Sequence, residues 1–269
     1  MKRVQLFEFM DLKYFPSFLR NLNTDVLELI NSKGQTFDAM IPIIDDVSKK
    51  SKTNQIVDLC SGGGGAWIRL SKLLKEKNTN VRIKLTDKFP NSKAIKRINS
   101  MQSVIKYEEN SVDALNVPKN LQGVRTIFGG FHHMKEDVAK AILKKAKDDK
   151  QGIVISEAML MPPKLAWITL PIQILLLPLM LIYYWIMYAK VMKGSPLTVV
   201  ARLLFTYLIP IAPLTMIFDS FISIVRIYDK QMLEEMVQPL QGDDYTYKVD
   251  IVRTNDKLPP VVYVIGYQC

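Results

Sequence analysis

Two cysteines in 269 residues, Cys60 and Cys269, are too few for a disulfide framework, and two histidines, His132 and His133, exclude a histidine-rich metal cluster. Glycine is sparse at 12 residues while 48% of the chain is hydrophobic, which rules out collagen-like and disordered classes. Acids are in deficit, 26 against 36 lysines and arginines, so the net charge is +10 and an anionic surface or ligand is a fitting partner. Met1 to Met10 carries two basic residues but only a short apolar patch broken by Gln5 and Glu8, which does not read as a secretory signal. The soluble part is therefore expected in the cytoplasm.

Charge is also missing locally. Leu165 to Ala189 runs for 25 residues without a charged side chain, and Leu203 to Phe218 adds another 16. Since about 20 apolar residues span a hydrocarbon core, the first run is long enough to cross a bilayer and the second is short. Pro171, Pro178, Pro210 and Pro213 predict that neither is a straight helix. Trp167, Tyr183, Tyr184, Trp185 and Tyr188 are rings of the kind that favour the membrane interface. Buried core helices of a soluble protein are the alternative to membrane association.

Around this region the pattern is that of an α/β protein. Gln55 to Leu59, Val81 to Thr86, Val104 to Tyr107, Val124 to Phe128 and Gly152 to Ser156 read as five strands. Segments with helical spacing lie between several of them, such as Trp67, Leu70, Leu73 and Leu74, or Ala139, Ile142, Leu143 and Ala146. That alternation predicts a parallel sheet covered by helices. Tyr245 to Ile251 alternates and Val261 to Ile265 is continuously apolar, with Leu258-Pro259-Pro260 between them, which predicts a terminal hairpin. The expected organisation is an N-terminal helical lid over 1–50, an α/β core over 51–158, an apolar insertion over 159–225, and a return helix with the hairpin over 226–269. If strands on both sides of the insertion share one sheet, the chain crosses a bilayer twice or not at all. Two crossings would put Lys190, Lys193 and Arg202 on the far side, so a proline-bent hairpin dipping into one leaflet fits the basic-loop rule better.

Asp58-Leu59-Cys60-Ser61-Gly62-Gly63-Gly64-Gly65 stands between a predicted strand and a predicted helix, where glycines let a ligand approach the backbone. A phosphate-cradling P-loop needs Lys-Ser/Thr after its last glycine, and Ala66-Trp67 follows here. A dinucleotide G-x-G-x-x-G fails at Trp67 or Ile68. What remains is D-x-G-x-G-x-G, with Cys60 in place of the first glycine, and in this the chain resembles the class I S-adenosylmethionine-dependent methyltransferases over two blocks totalling about 200 residues. The resemblance implies a Rossmann-like α/β fold with a mostly parallel seven-stranded sheet, here carrying a hydrophobic helical insertion after the fifth strand. It implies S-adenosylmethionine as cofactor, bound by Asp58, Cys60, Gly62 and Gly64 in the turn and by Gly130 after the fourth strand. It also implies Asp87 on the ribose hydroxyls and Asp113 near the adenine. A turn or helix-cap role is the alternative for each acid.

The fourth strand ends in Gly129-Gly130-Phe131-His132-His133-Met134, which in this family faces the transferred methyl and here lacks the Asn/Asp-Pro-Pro-aromatic of many base and glutamine methyltransferases. His132 or His133 as general base would suit a phenol or hydroxyl acceptor; packing beneath the cofactor is the alternative. Adjacent residues in an extended segment point apart, so no shared metal is expected. An apolar insertion after the fifth strand borders the substrate opening in such sheets. The expectation is a membrane-associated methyltransferase whose acceptor is a lipophilic small molecule or lipid from the bilayer, with the catalytic domain cytoplasmic. A noncatalytic cofactor-binding scaffold is the alternative. An RNA methyltransferase is disfavoured, since it leaves the insertion unexplained. Arg226 and Tyr228 are candidates for the same pocket, with an interface anchor as the alternative, and Lys72 to Lys77 and Lys144 to Lys150 read as solvated helix faces.

Overall fold

The computed structural model describes residues 3–78, 80–101, 103–161 and 163–269. The chain forms two compact units, Asn31–Leu160 with Tyr228–Cys269, and Met1–Ile30 with Met161–Ile227.

The first unit is built on a seven-stranded sheet, β1 (Gln55–Asp58), β2 (Arg82–Leu85), β3 (Ile105–Tyr107), β4 (Val124–Phe128), β5 (Ile153–Ala158), β6 (Tyr245–Val252) and β7 (Val261–Gln268), in the order β3-β2-β1-β4-β5-β7-β6. β1 to β5 are mutually parallel, as the strand and helix alternation predicts. The terminal hairpin makes the sheet mixed, because β7 runs antiparallel between β5 and β6. A two-stranded hairpin turns back on itself, so its second strand can enter the sheet only against the common direction.

β4 and β5 are buried on both faces, as interior parallel strands are, and they carry the buried polar residues Arg125, Thr126, Ser156 and Glu157 among their apolar ones. One face packs under α2 (Ile41–Lys50), α3 (Trp67–Lys77) and α4 (Ser92–Ser100), with Ile44, Ile56, Leu70, Leu85 and Ile98 in that core. The other packs on α5 (Glu136–Asp148) and α11 (Lys230–Val237) through Val57, Ile127, Leu143, Leu233 and Val264. Asn91 starts α4 by accepting from the Lys93 and Ala94 amides, a side-chain N-cap one residue after Pro90. The lysine runs lie on solvated faces of α3 and α5, where Lys140–Glu136 and Lys144–Asp148 pair at i,i+4. β2 and β3 carry Arg82 and Lys106 outward, because the connection through residues 108–123 is loop and lays no helix over them. On the opposite edge, the Gln241 side chain donates to the Tyr247 carbonyl at 2.8 Å and accepts from the Tyr247 amide at 2.9 Å.

The second unit is helical. It holds most of α1 (Ser17–Lys33) and the segments that follow β5: α6 (Pro163–Ile168), α7 (Leu170–Leu175), α8 (Leu177–Ala189), α9 (Pro196–Leu203), a π turn over Leu204–Leu208, and α10 (Ile211–Arg226). The prolines divide the apolar runs as expected: Pro171 and Pro178 sit in the first turns of α7 and α8, where no amide is lost, and Pro210 precedes α10. Leu19, Leu22 and Val26 of α1 pack against Tyr184, Tyr188, Met216 and Ile217. The Tyr188 hydroxyl contacts Asn23 Oδ1 at 2.6 Å and the Ala212 carbonyl at 3.0 Å, and Arg202 pairs with Asp25 at 2.7 Å. Asp219, buried in α10, accepts from the amides of Phe9 and Met10 and so fixes the aromatic N-terminal stretch. Arg226 is buried too, paired with Glu8 at 3.2 Å and Asp11 at 2.7 Å. Among the described residues no single helix is long and apolar enough to cross a membrane; the pair Pro196–Leu208 and Ile211–Arg226, bent by 65°, reaches that length and composition only together.

Candidate functional site

The carboxyl ends of β1, β2, β4 and β5 converge on the glycine turn. β1 ends in Asp58, and the backbone then leaves the strand through Cys60 at φ 61°, Gly62 at 51°, Gly64 at 97° and Gly65 at 37°. Left-handed residues in quick succession fold the chain back tightly enough to start α3 at Trp67. A Cβ on Gly64 would lie 2.7 Å from the Ile98 Cδ1 methyl, which would have to turn aside, and the φ of 97° itself favours glycine there. By contrast, a Cβ on Gly65 or on Gly129, after β4, would meet nothing within 4 Å. Both glycines therefore face open space.

The turn is tied down by polar groups. Asp58 is buried, with Oδ1 accepting from Thr126 Oγ1 and Oδ2 from Ser61 Oγ, each at 2.6 Å. Burial pushes its carboxyl up to about 7, against the opposing pull of those hydroxyls. The Gly62 amide donates to Asp87 Oδ2 at 2.8 Å, while Asp87 Oδ1 takes the Phe89 amide at 2.7 Å. A carboxylate has about four acceptor positions, so two remain for hydroxyl donors. Tyr107, on β3, donates its hydroxyl to the Gly62 carbonyl at 2.8 Å, and Arg97, on α4, donates to the Gly63 carbonyl at 2.7 Å.

Asp113 lies in the loop after β3, which is joined to the Asp87 loop by the Val112 amide donating to the Asp87 carbonyl. Its Oδ2 pairs with Lys88 at 2.7 Å and its Oδ1 takes the Leu115 amide. The Lys88 hydrogen bond is the main reason its carboxyl sits below the ordinary value. Cys60 is free and close to Gly130, where an added Cβ would fall 3.4 Å from the Cys60 Cβ. Its thiol is pushed strongly upward, first by burial and then by Asp87, Asp58, Asp113 and Glu157 in turn.

Sequence reasoning missed the last of these acids. Glu157 sits near the end of β5, one residue beyond the expected strand boundary, and is buried. Its Oε1 takes the amides of Phe131 and His132, and its Oε2 meets His132 Nδ1 at 2.8 Å. Burial raises its carboxyl, but the His132 charge and these hydrogen bonds outweigh that and hold it below the ordinary value. The only sequence signal was an acid closing an apolar strand.

The histidines themselves require a correction. Phe131–His133 forms a 3₁₀ turn, not an extended segment, and the two rings stack with centroids 4.3 Å apart at 32°. Three residues per turn place neighbours about 120° apart rather than on opposite sides, so divergence is no argument against a shared ligand. Tyr228 secures this turn by donating to the Met134 carbonyl at 2.8 Å and packing its ring on Phe131 at 5.6 Å.

No protein-family model matches the chain, and no curated protein matches it in sequence. Solved structures do resemble it. The plantazolicin methyltransferase BpumL in complex with SAH aligns over 93% of this chain and 98% of that one, at 10% identity and a TM-score of 0.46. Human N-acetylserotonin methyltransferase in complex with SAM aligns over 94% of this chain, at 12% identity and a TM-score of 0.50, and the aligned part is 57% of that protein. At such identity the likeness concerns the fold. The chain thus has the Rossmann-like methyltransferase fold, in which five parallel strands are completed by an antiparallel hairpin.

Proposed function

We propose that this protein is an S-adenosylmethionine-dependent methyltransferase acting on a lipophilic small molecule or lipid at a membrane. The observation that carries the reading is the glycine turn at the end of β1: left-handed backbone with open space at Gly65, beside Asp87, whose carboxylate holds the Gly62 and Phe89 amides and keeps acceptor positions for hydroxyls. S-adenosylmethionine is cationic at its sulfonium and ammonium and carries two ribose hydroxyls, so this donor and acceptor set suits it, whereas phosphates would be repelled. N-acetylserotonin methyltransferase, which shares the fold, was solved with SAM.

When bound, the cofactor supplies a methyl group already activated as a sulfonium. The chain has then to bind, align and exclude water. Asp87 has acceptor positions for the ribose hydroxyls, and the bare backbone at Gly65 and Gly129 leaves room for the ligand. Glu157 holds His132 at Nδ1, which directs that proton to the carboxylate and makes Nε2 the basic nitrogen. His132 so oriented can take the proton of a phenolic or hydroxyl acceptor.

Calorimetry of S-adenosylmethionine with the detergent-solubilised protein tests this reading. Micromolar binding by the wild type, weakened at least about tenfold by Asp87→Ala, supports it; that loss corresponds to about 1.4 kcal/mol. Absence of binding by folded wild type overturns it. Binding with no methyl transfer to any lipid extract would assign a cofactor-binding scaffold instead.

A further inference from the structure

The helical unit is arranged inside out for a surface in water. Its polar groups point inward, as with the Tyr188 hydroxyl on Asn23, the Arg202–Asp25 pair and Asp219 on the Phe9 and Met10 amides. Outside the core that α1 and α10 share, many of its aliphatic side chains point outward: Ile168 is 73% exposed, Leu175 77%, Leu197 80% and Leu208 77%, with Ile172, Leu179, Ile182 and Ile186 exposed between them. α8 shows the inversion within one helix. One side buries Tyr184 and Tyr188, and the side a soluble protein would make polar carries Leu179, Ile182, Tyr183 and Ile186. Monomeric soluble proteins rarely expose an apolar run of this extent.

We propose that this face is seated in one leaflet of an anionic lipid bilayer without crossing it. The inference deepens the functional reading above, and rests on it only for the idea that the acceptor arrives from lipid. The charge pattern selects lipid over a second copy. Between Glu157 and Asp219 there is no acidic residue, while Lys164, Lys190, Lys193 and Arg202 are present, and Lys190 and Lys193 are exposed. A second copy would bring lysine to lysine, whereas anionic headgroups complement both. Geometry selects one leaflet. α8 has 13 residues, a length of about 20 Å against a hydrocarbon core of about 30 Å, and among the described residues the only pair long enough is bent by 65°. Trp185 and Tyr207 spend their polar tips within the unit, Trp185 Nε1 donating to the Thr206 carbonyl and Tyr207 to the Trp185 carbonyl, each at 3.0 Å. That pins α8 to the π turn, so the two exposed aliphatic stretches move as one surface.

The test is flotation of the full chain with vesicles of phosphatidylcholine, with and without phosphatidylglycerol, in the absence of cofactor and acceptor, so that it can fail independently of the methyltransferase reading. The expected result is recovery with the anionic vesicles, weakened about tenfold by Leu175→Asp with Leu179→Asp and diminished by Lys190→Glu with Lys193→Glu. All four side chains are exposed, and an unchanged urea midpoint in detergent shows that the fold survives the changes. Membrane depth is read from Lys193→Cys in a Cys269→Ser background, which should react with an impermeant maleimide equally before and after the vesicles are opened. Protection until opening would mean a full crossing and overturn the proposal. So would failure to float, flotation indifferent to the aspartates, or a dimer in solution abolished by Leu175→Asp, which would give the face to a second copy.

Discussion

Replacing Asp58 by asparagine should change how stability depends on pH. Burial raises this carboxyl from 3.8 to about 7, so between those values the folded chain binds a proton that the unfolded chain has lost. Unfolding then releases protons, and stability falls as pH rises. The contribution is fully present below about pH 4 and is lost as pH climbs through 7. Over about 3 pH units, at about 1.4 kcal/mol each, the wild type should lose about 4 kcal/mol from this group. Asp58→Asn cannot ionise, yet its amide can still meet the hydroxyls of Ser61 and Thr126, so its curve should lack this slope. The difference curve between the two proteins isolates Asp58 from the other titrating groups. Urea unfolding in mild detergent, followed by tryptophan fluorescence from pH 4.5 to 8, measures both, with Trp67 buried beside the turn. The variant should be near wild type at the acid end and more stable by a few kcal/mol at the alkaline end. Parallel curves would show that Asp58 ionises as readily folded as unfolded, and the picture of a buried carboxyl held by two hydroxyls would be wrong.

Tyr107→Phe removes the hydroxyl from the Gly62 carbonyl and should cost about 1 kcal/mol of stability by thermal unfolding, with a several-fold loss of S-adenosylmethionine affinity by calorimetry. At Cys60, φ 61° disfavours a branched side chain, so Cys60→Val should lower stability by about 2 kcal/mol or more while Cys60→Gly stays within about 1 kcal/mol of wild type. Once an acceptor is in hand, Glu157→Gln should lower kcat about 100-fold with cofactor affinity little changed, and adding it to His132→Ala should cost almost nothing more. Additive losses in that double variant would separate Glu157 from the action of His132.

The strands were readable because their chemistry is local. Val124 to Phe128 is rich in strand-forming residues and flanked by Gly123 and Gly129, and β4 occupies those same residues. The Asp58 to Gly65 turn was readable for the same reason, since left-handed backbone needs residues that tolerate it. Glu157 was hidden because its meaning comes from β5 lying beside β4, a long-range pairing that sets its carboxylate against the Phe131 and His132 amides. The stacking of His132 on His133 was missed because a three-residue 3₁₀ turn leaves no periodicity to detect. The proline breaks were legible, but which sides of α7 and α8 face outward depends on what α1 and α10 cover.

The Gln241 side chain has a consequence for how the molecule behaves in a crowd. β6 is the longer of the two edge strands, eight residues against three in β3, and an open edge invites a strand from another molecule to continue the sheet. By answering both the amide and the carbonyl of Tyr247, Gln241 stands in for one residue of that intruding strand. Lys248 and Asp250, a few residues further along, add charge that a newcomer would have to accommodate. A single carboxamide thus blocks recruitment near the start of the edge and directs any self-association of the chain away from fibril-like growth of its sheet.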